Sequence, residues 1–257
     1  MQYKDIYYST QLYSFISQSF KLVFENVDIN STQNFLPDGL LSVIYCRKGR
    51  FSIENEFGKK EYSGPNIYFS VYTTLQKVTP LEHTEVYGTT LFPWSIRYFD
   101  FFSAREIKDK FTSLEEMQPL SAHILLEKLN DLHDDRSIQT VIHEFLKTNI
   151  DIGYPVTLDL ESVFKKMILN NGLIKVKDII QETGYSERKL QIIFQECYGL
   201  TTKNYIDLCR FNCSKEVLYK YPDMDILDVA YLLGYYDLSH FYKHFKRFSS
   251  MNPREFI

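Results

Sequence analysis

The stretch GYSERKLQIIF at residues 184–194 returns in altered form as GYYDLSHFYKHF at residues 234–245, near the end of a chain of 257 residues. Two apolar faces at helical spacing flank Gly184: Val176, Ile179 and Ile180 before it, and Leu190, Ile193 and Phe194 after it. Gly184 suits a tight corner and Ser186 suits a helix N-cap. The pattern predicts a helix-turn-helix over about residues 174–198.

The second copy predicts another helix-turn-helix over about residues 225–248. Gly234 repeats Gly184 at an offset of 50, and one inserted residue then makes the offset 51, so that Phe245 matches Phe194 and Phe256 matches Tyr205. Between the copies, the pattern predicts a linker helix over about residues 202–220, which stops before Pro222 and spans ~27 Å. Recognition helices that are held ~34 Å apart read successive major-groove segments on one face of DNA. The repeat therefore predicts a partner that is double-stranded DNA, such as a promoter.

The tandem segments GYSERKLQIIFQECYGLTTKNYIDLCRF and LGYYDLSHFYKHFKRFSSMNPREF resemble the DNA-binding domain of AraC/XylS-family transcription regulators, over about the last 100 residues. The resemblance implies a seven-helix domain with two motifs, C-terminal to a β-rich domain that senses a small molecule or mediates dimerisation. It also favours activation through contact with RNA polymerase. The effector is not identified by the sequence, and a homodimer is one expected arrangement.

Helical geometry divides the two motifs into inward and outward positions. The side chains expected to read bases are Arg188, Lys189, Gln191 and Ile192 in the first motif, and Ser239, His240, Tyr242 and Lys243 in the second. The side chains expected to contact phosphates are Lys246, Arg247 and Arg254. Arginine suits guanine and glutamine suits adenine. The family often has Arg where this chain has Ile192, and we interpret Ile192 as a residue that contacts a thymine methyl. The family usually has Gly where this chain has Ser250.

The first part of the chain has a different pattern. Between about residues 21 and 101, runs of β-branched and aromatic residues broken by Pro37-Asp38-Gly39, Gly58 and Ser63-Gly64-Pro65 predict short strands of a sandwich or small barrel. From Ser103 the spacing SARE predicts a capped helix continuing through IKDKF. Amphipathic helices are expected at residues 120–133 and 137–149, before a break at Gly153-Tyr154-Pro155.

These patterns predict an α+β protein: an N-terminal β-rich sandwich or barrel (cupin-like) domain, a helical connector and a C-terminal all-α double helix-turn-helix domain. The expected boundaries are residues 1–102 for a β-rich, effector-sensing domain, 103–155 for a connector with candidate dimerisation helices, and 156–257 for the AraC-type DNA-binding domain.

Composition narrows the class of protein. The hydrophobic fraction of 44% is that of a globular chain, and the net charge is −4. Residues 158–257 hold 14 Lys or Arg against 13 Asp or Glu, a net charge of +1, which predicts modest and salt-dependent DNA affinity. The amino terminus lacks a signal-peptide pattern and no long apolar run occurs, so we expect a cytoplasmic protein with no membrane partner. Four cysteines in a chain this long favour free thiols.

The alternative function is a metal-dependent β-barrel enzyme of the cupin type with accessory helices. It would need clustered ligands, and residues 20–100 hold one histidine, His83. His240 and His244 lie four residues apart, as two zinc ligands on a helix can, but no third ligand is evident. Cys209 and Cys213 have the same spacing, and packing on a helix face explains them more simply than a role as a redox sensor. Trp94, Tyr68, Tyr72 and Tyr87 fit either an effector pocket or a core. We therefore expect no enzyme activity, no catalytic or metal-binding residues, and no cofactor.

Overall fold

The computed structural model describes residues 1–6, 12, 14–151 and 160–256. The chain divides into two compact units. The first comprises Met1–Phe35, Leu40–Val71 and Gln76–Pro155, and the second comprises Leu36–Gly39, Tyr72–Leu75 and Val156–Ile257. The Gly153-Tyr154-Pro155 break lies outside the described residues, and the three domain boundaries remain a prediction. The expected α+β fold, with a β-rich first part and a helical second part, is confirmed.

The first unit is a two-sheet sandwich. Its strands are β1 (Gln2–Asp5), β2 (Ile16–Phe24), β3 (Gln33–Phe35), β4 (Leu41–Lys48), β5 (Arg50–Asn55), β6 (Gly58–Ser63), β7 (Asn66–Val71), β8 (Gln76–Pro80), β9 (Thr84–Leu91) and β10 (Thr112–Ser113). One sheet has the order β1-β2-β9-β4-β7-β10 and the other β3-β8-β5-β6, with antiparallel pairing throughout.

The apolar residues of alternating strand positions meet between the sheets. Phe51 on β5 packs edge-on against Tyr68 on β7, with ring centroids 6.4 Å apart, and stacks on Tyr62 of β6 at 5.6 Å. Ile44 and Val86 join this buried cluster from the other sheet. Aromatic pairs of this kind add to area burial, so the cluster fixes the sandwich.

Helices follow the sandwich, with one difference from the expectation. They are α1 (Ala104–Ile107), α2 (Leu114–Met117), α3 (Pro119–Asn130) and α4 (Asp135–Asn149). The Ser103 backbone N–H donates to the Glu106 carboxylate at 2.6 Å, as the capping-box spacing predicts. The expected continuation through IKDKF is wrong: α1 ends at Ile107, because Lys108 forms a bridge with Val71 and the chain returns to the sheet as β10.

Helix α4 is held on the six-stranded sheet by polar contacts. Asp135, in its first turn, accepts hydrogen bonds from Lys21 and the Tyr87 hydroxyl, both at 2.9 Å. Two turns on, the buried His143 has its Nε2 3.1 Å from the Ser19 hydroxyl and 3.2 Å from that of Thr89. Burial lowers the pKa of His143 from its usual 6.5 to about 4, so this ring is neutral near pH 7.

The second unit is helical. Its elements are α5 (Leu160–Leu169), α6 (Val176–Thr183), α7 (Glu187–Tyr198), α8 (Thr202–Lys220), α9 (Ile226–Leu232), α10 (Leu238–Ser249) and α11 (Pro253–Phe256). Both predicted helix-turn-helix motifs therefore form, as α6–α7 and α9–α10. The linker helix α8 runs over the residues expected for it.

Helix α8 packs on both motifs through two aromatic groups. Near its start, the Tyr205 ring lies 5.8 Å from that of Phe194 on α7 and 4.7 Å from that of Phe164 on α5. At its centre, the Phe211 ring lies 5.1 Å from those of Phe245 and Phe248 on α10. All six rings are nearly or fully buried. These contacts pack the first motif near the start of α8 and the second motif against its centre.

The helices α6, α7 and α10 each end at a residue in the left-handed conformation. Gly184 and Gly199 close α6 and α7 with φ of 68° and 65°, whereas Ser250 closes α10 with φ of 59°. This φ is strained for a residue with a Cβ. It accounts in physical terms for the glycine that the AraC/XylS resemblance leads one to expect at position 250.

We expect acid to destabilise the first unit through His143. Because its folded pKa lies below the value of 6.5 in an unfolded chain, the unfolded state binds a proton first as the pH falls. The free energy of unfolding should therefore drop by about 2 kcal/mol between pH 7 and pH 5. Urea titrations followed by the fluorescence of Trp94, the single tryptophan, would measure this. The change His143→Gln should remove most of this loss of stability between pH 7 and pH 5, whereas the control His123→Gln, at an exposed histidine, should leave it unchanged. An equal loss in both variants would show that His143 is not its cause.

The change Ser250→Gly should raise the free energy of unfolding of the helical unit by about 0.5 to 1 kcal/mol, because relief of the strained φ outweighs the added freedom of the unfolded chain. The matched change Gly184→Ala should lower it by about 1 kcal/mol, since a Cβ there meets no atom within 4 Å and only the backbone conformation opposes it. Urea unfolding followed by helical circular dichroism would measure both. A loss of stability in Ser250→Gly would refute the explanation.

Candidate nucleic-acid interface

The first motif presents one face of α7 to the core and another to solvent. The Ser186 hydroxyl accepts a hydrogen bond from the Lys189 backbone N–H at 3.3 Å, which caps the helix as expected. Leu190 and Phe194 are fully buried and Ile193 is half-buried. The opposite face is therefore left for a partner.

The second motif repeats this construction 51 residues later. The Asp237 carboxylate caps α10 by accepting from the His240 backbone N–H at 2.7 Å. Phe241 and Phe245 are fully buried, at the positions of Leu190 and Phe194. The Phe245 ring lies 5.5 Å from that of Phe256, which reproduces the Phe194–Tyr205 contact of the first copy. The repeat in sequence is thus a repeat of caps, core positions and tail contact.

The four base-reading candidates of the first motif are exposed on α7. Within the described part of the chain, Arg188 and Gln191 make no side-chain hydrogen bond or ion pair with the protein, so their donors are available. The Lys189 ammonium lies 4.0 Å from the centre of the Tyr185 ring, a cation–π contact. Ile192 is 47% exposed on the same face of α7.

The candidates of the second motif are less uniform. Ser239, His240 and Lys243 are exposed on α10, whereas Tyr242 is half-buried, with its ring edge-on to that of Phe241. Of the phosphate candidates, Lys246 and Arg254 are exposed. Arg247 is also exposed, but it already bonds Asp207 at 3.3 Å and Asn204 at 2.9 Å.

The linker sets the scale of the interface. Its 19 residues give α8 a length of ~28 Å, close to the ~34 Å between successive major-groove segments. The aromatic contacts near its start, at Tyr205, and at its centre, at Phe211, join both motifs to it. Two exposed helix faces on one rod are what a duplex reader of this kind needs.

Some residues near the interface were not expected from the sequence. Helix α8 contributes Lys203 and Asp207 to a pocket that it shares with His240, Lys243 and His244 of α10. His244 takes the position of Ile193 in the first copy, so a polar residue at a core position of the repeat could have marked it as a candidate functional residue. Nothing in the sequence around Lys203 could have marked that lysine in the same way.

The other candidate chemistries receive little support from the described residues. Among them, no group of three or more His, Cys, Asp or Glu is arranged to hold a metal ion. Burial raises the pKa of Cys209 to about 12 and raises that of Cys213, which keeps both thiols un-ionised. Trp94, Tyr68 and Tyr87 are buried, and Tyr72 is half-buried. No helix within the described ranges is long and apolar enough to cross a membrane.

The helical unit matches the model of a family described as a helix-turn-helix domain, over residues 179–257. Two relatives are similar to part of the chain. The "Probable transcription factor PqrA" of Proteus vulgaris is 30% identical over 101 residues, which are 39% of this chain and 82% of that protein. YkgA of Escherichia coli, a candidate HTH-type transcriptional regulator, is 30% identical over 83 residues; this match spans 32% of the chain and only 34% of YkgA.

Solved structures of ToxT from Vibrio cholerae resemble almost the whole chain. The structure from strain O395 has a TM-score of 0.50 and 15% identity, and the match covers 95% of this chain and 96% of that one. A form with an unsaturated fatty acid bound has the same TM-score and 14% identity, over 93% and 94% of the two chains. At this identity the likeness shows the fold. Together with the match to PqrA and the repeated caps and cores of α6–α7 and α9–α10, it shows that the chain belongs to the AraC/XylS family of transcriptional regulators.

Proposed function

We propose that this protein binds a promoter in sequence-specific fashion, with α7 and α10 placed in successive major-groove segments. The observation that carries the proposal is the repeated motif at an offset of 51, with both copies packed on α8. It leaves Arg188 and Gln191 unpaired on one recognition helix and Ser239, His240 and Lys243 exposed on the other. Lys246 and Arg254 are free to contact phosphates, so backbone contacts accompany base contacts.

Specificity should depend more on the first motif. Arg188 offers two donors to one guanine and Gln191 pairs with adenine, whereas Ser239 and Lys243 are less selective. Ile192 is exposed beside them and suits a thymine methyl. Affinity should be modest, because residues 158–257 have a net charge of only +1, and it should fall with salt in proportion to the number of phosphates that the cations contact.

The family also supports an activator that contacts RNA polymerase. On α9, the adjacent residues Tyr231 and Leu232 are 58% and 57% exposed, which offers an apolar surface to a protein partner. Binding as a homodimer would raise the apparent affinity for repeated half-sites. Such a regulator works in the cytoplasm, where its promoters are.

The β-rich unit is the proposed sensor. Because a ToxT structure holds an unsaturated fatty acid, unsaturated fatty acids are the first class of effector to test. A shared fold at 14% identity supports that choice of class and no particular binding residues.

The change Arg188→Ala should weaken binding to the selected duplex by ~1 to 3 kcal/mol and relax the preference at one base position. The change Lys246→Gln should weaken all duplexes alike and reduce the salt slope by about 1. Titrations of duplexes obtained by selection from a random pool, against scrambled duplexes, measure both. If Arg188→Ala weakens matched and scrambled duplexes equally, Arg188 is not a base-reading residue.

If a fatty acid is the effector, oleate should raise the melting temperature of the full chain and change Trp94 fluorescence in a saturable way, because a ligand that binds only the folded state stabilises it. Stearate, of equal length but saturated, is the matched control for specificity. Failure of oleate and a wider metabolite set to shift the melting temperature would argue that the first unit serves dimerisation alone.

A further inference from the structure

A strongly basic pocket lies within the helical unit, where α8 and α10 meet the start of α6. Its volume is about 590 Å³. Five cationic side chains line it, namely Lys175, Lys203, Arg210, Lys243 and Arg247, against one carboxylate, that of Asp207. A concave site with such an excess of one charge concentrates ions of the opposite charge.

The two arginines of this charge cluster already contact other groups of the helical unit. Arg210 donates to the Gly172 carbonyl from two of its nitrogens, at 3.0 and 2.7 Å. Arg247 lies 3.3 Å from Asp207 and so offsets the charge of the single carboxylate. Neither arginine needs a further partner to be satisfied.

The lysines differ from the arginines in this respect. Lys203, in the first turn of α8, and Lys243, on α10, are exposed and form no ion pair or side-chain hydrogen bond with the described part of the chain. They come from two different helices and line the same pocket. Lysine ammonium groups on flexible stems are common partners of phosphate oxygens.

His244 adds a buried ring with one unsatisfied nitrogen to the wall of the pocket. Only 7% of the residue is exposed, yet its Nε2 has no hydrogen-bond partner. The nearest carboxylate oxygen, on Asp207, is 3.8 Å away, which is too long for a hydrogen bond. Burial is the main cause that lowers the pKa of His244, so the ring is neutral near pH 7.

The tautomer of His244 decides what that Nε2 offers. The Tyr235 hydroxyl lies 2.6 Å from Nδ1. When the hydroxyl donates to Nδ1, the single ring hydrogen is on Nε2, which is then a fully buried donor with no acceptor within hydrogen-bond distance. A buried unsatisfied donor is costly, and an anion in the pocket would relieve that cost.

We propose that this pocket is a phosphate site, in which Lys203, Lys243 and Nε2 of His244 hold one phosphate group. The group comes either from the DNA backbone or from a small phosphorylated compound. If the phosphate belongs to the DNA backbone, the proposal rests on the function proposed above and adds Lys203 and His244 to the DNA interface. If the phosphate belongs to a small compound, that compound would compete with DNA for the site.

The first arm of the test uses the full chain and inorganic phosphate. The ring ¹⁵N resonance of His244, assigned through its loss in His244→Gln, should shift in a saturable way with phosphate and not with sodium chloride of equal ionic strength. Lys203→Gln and Lys243→Gln should weaken this binding by about tenfold. Lys220→Gln, at an exposed lysine at the other end of α8, is the matched control and should bind as the parent does.

The second arm uses DNA in which a neutral methylphosphonate replaces one phosphate at a time. At one position the replacement should weaken binding of the parent protein and of Lys220→Gln, but not that of the double variant Lys203→Gln/Lys243→Gln, which has already lost the contact. A positive first arm supports the site for free phosphate, and a positive second arm supports it for the backbone.

The proposal is overturned if phosphate shifts His244 no more than chloride does and every methylphosphonate loss is the same in the double variant as in the parent. This failure is distinct from failure of the proposed function. If the parent binds its selected duplex but neither arm responds, the pocket is not a phosphate site. If no duplex is bound specifically, the proposed function fails whatever the first arm shows.

Discussion

The packing of α8 against both helix-turn-helix motifs is the constraint on which the helical unit depends. Tyr205 near the start of α8 and Phe211 at its centre each fit among aromatic rings of a recognition helix, within 6 Å between centroids. Because both motifs pack on one continuous helix, their separation depends on where along α8 each of them is held. If either aromatic group were loosened, the motifs would fold singly and lose their common register on DNA.

The repeated construction explains how one short pattern gives two different readers. The buried positions are conserved in role between the copies, with Leu190 and Phe194 matched by Phe241 and Phe245. The exposed positions differ: Arg188 and Ile192 correspond to Ser239 and Lys243. The core therefore specifies the fold of each motif, whereas the outer face specifies what it contacts. His244 is the exception, because it places a polar ring at a core position and lines the basic pocket.

The sequence predicted the helical unit well because its signals are local. Thr201 caps α8 and Pro222 follows its end, and glycines mark the turns, so the predicted bounds of the linker agree with the structure.

The β-rich unit was harder to predict. Strand β6, GKKEYS, lies at the edge of its sheet with mostly exposed residues, so it has no apolar alternation to detect. The IKDKF stretch looked helical, but pairing with the sheet at Val71 and β7 prevailed over local preference. The pocket around Lys203 depends on contacts between distant helices, which spacing along one helix does not reveal.

The central claim is that α7 and α10 occupy successive major-groove segments on one face of the duplex. Hydroxyl-radical footprinting of the full chain on its selected duplex tests it most directly, with a second duplex that carries five extra base pairs between the two contacted segments. The account predicts two protected windows about 10 base pairs apart, and loss of one window on the longer duplex, where the rotated segment is out of reach of the rod. A single protected window, or two windows that persist after the insertion, would contradict it.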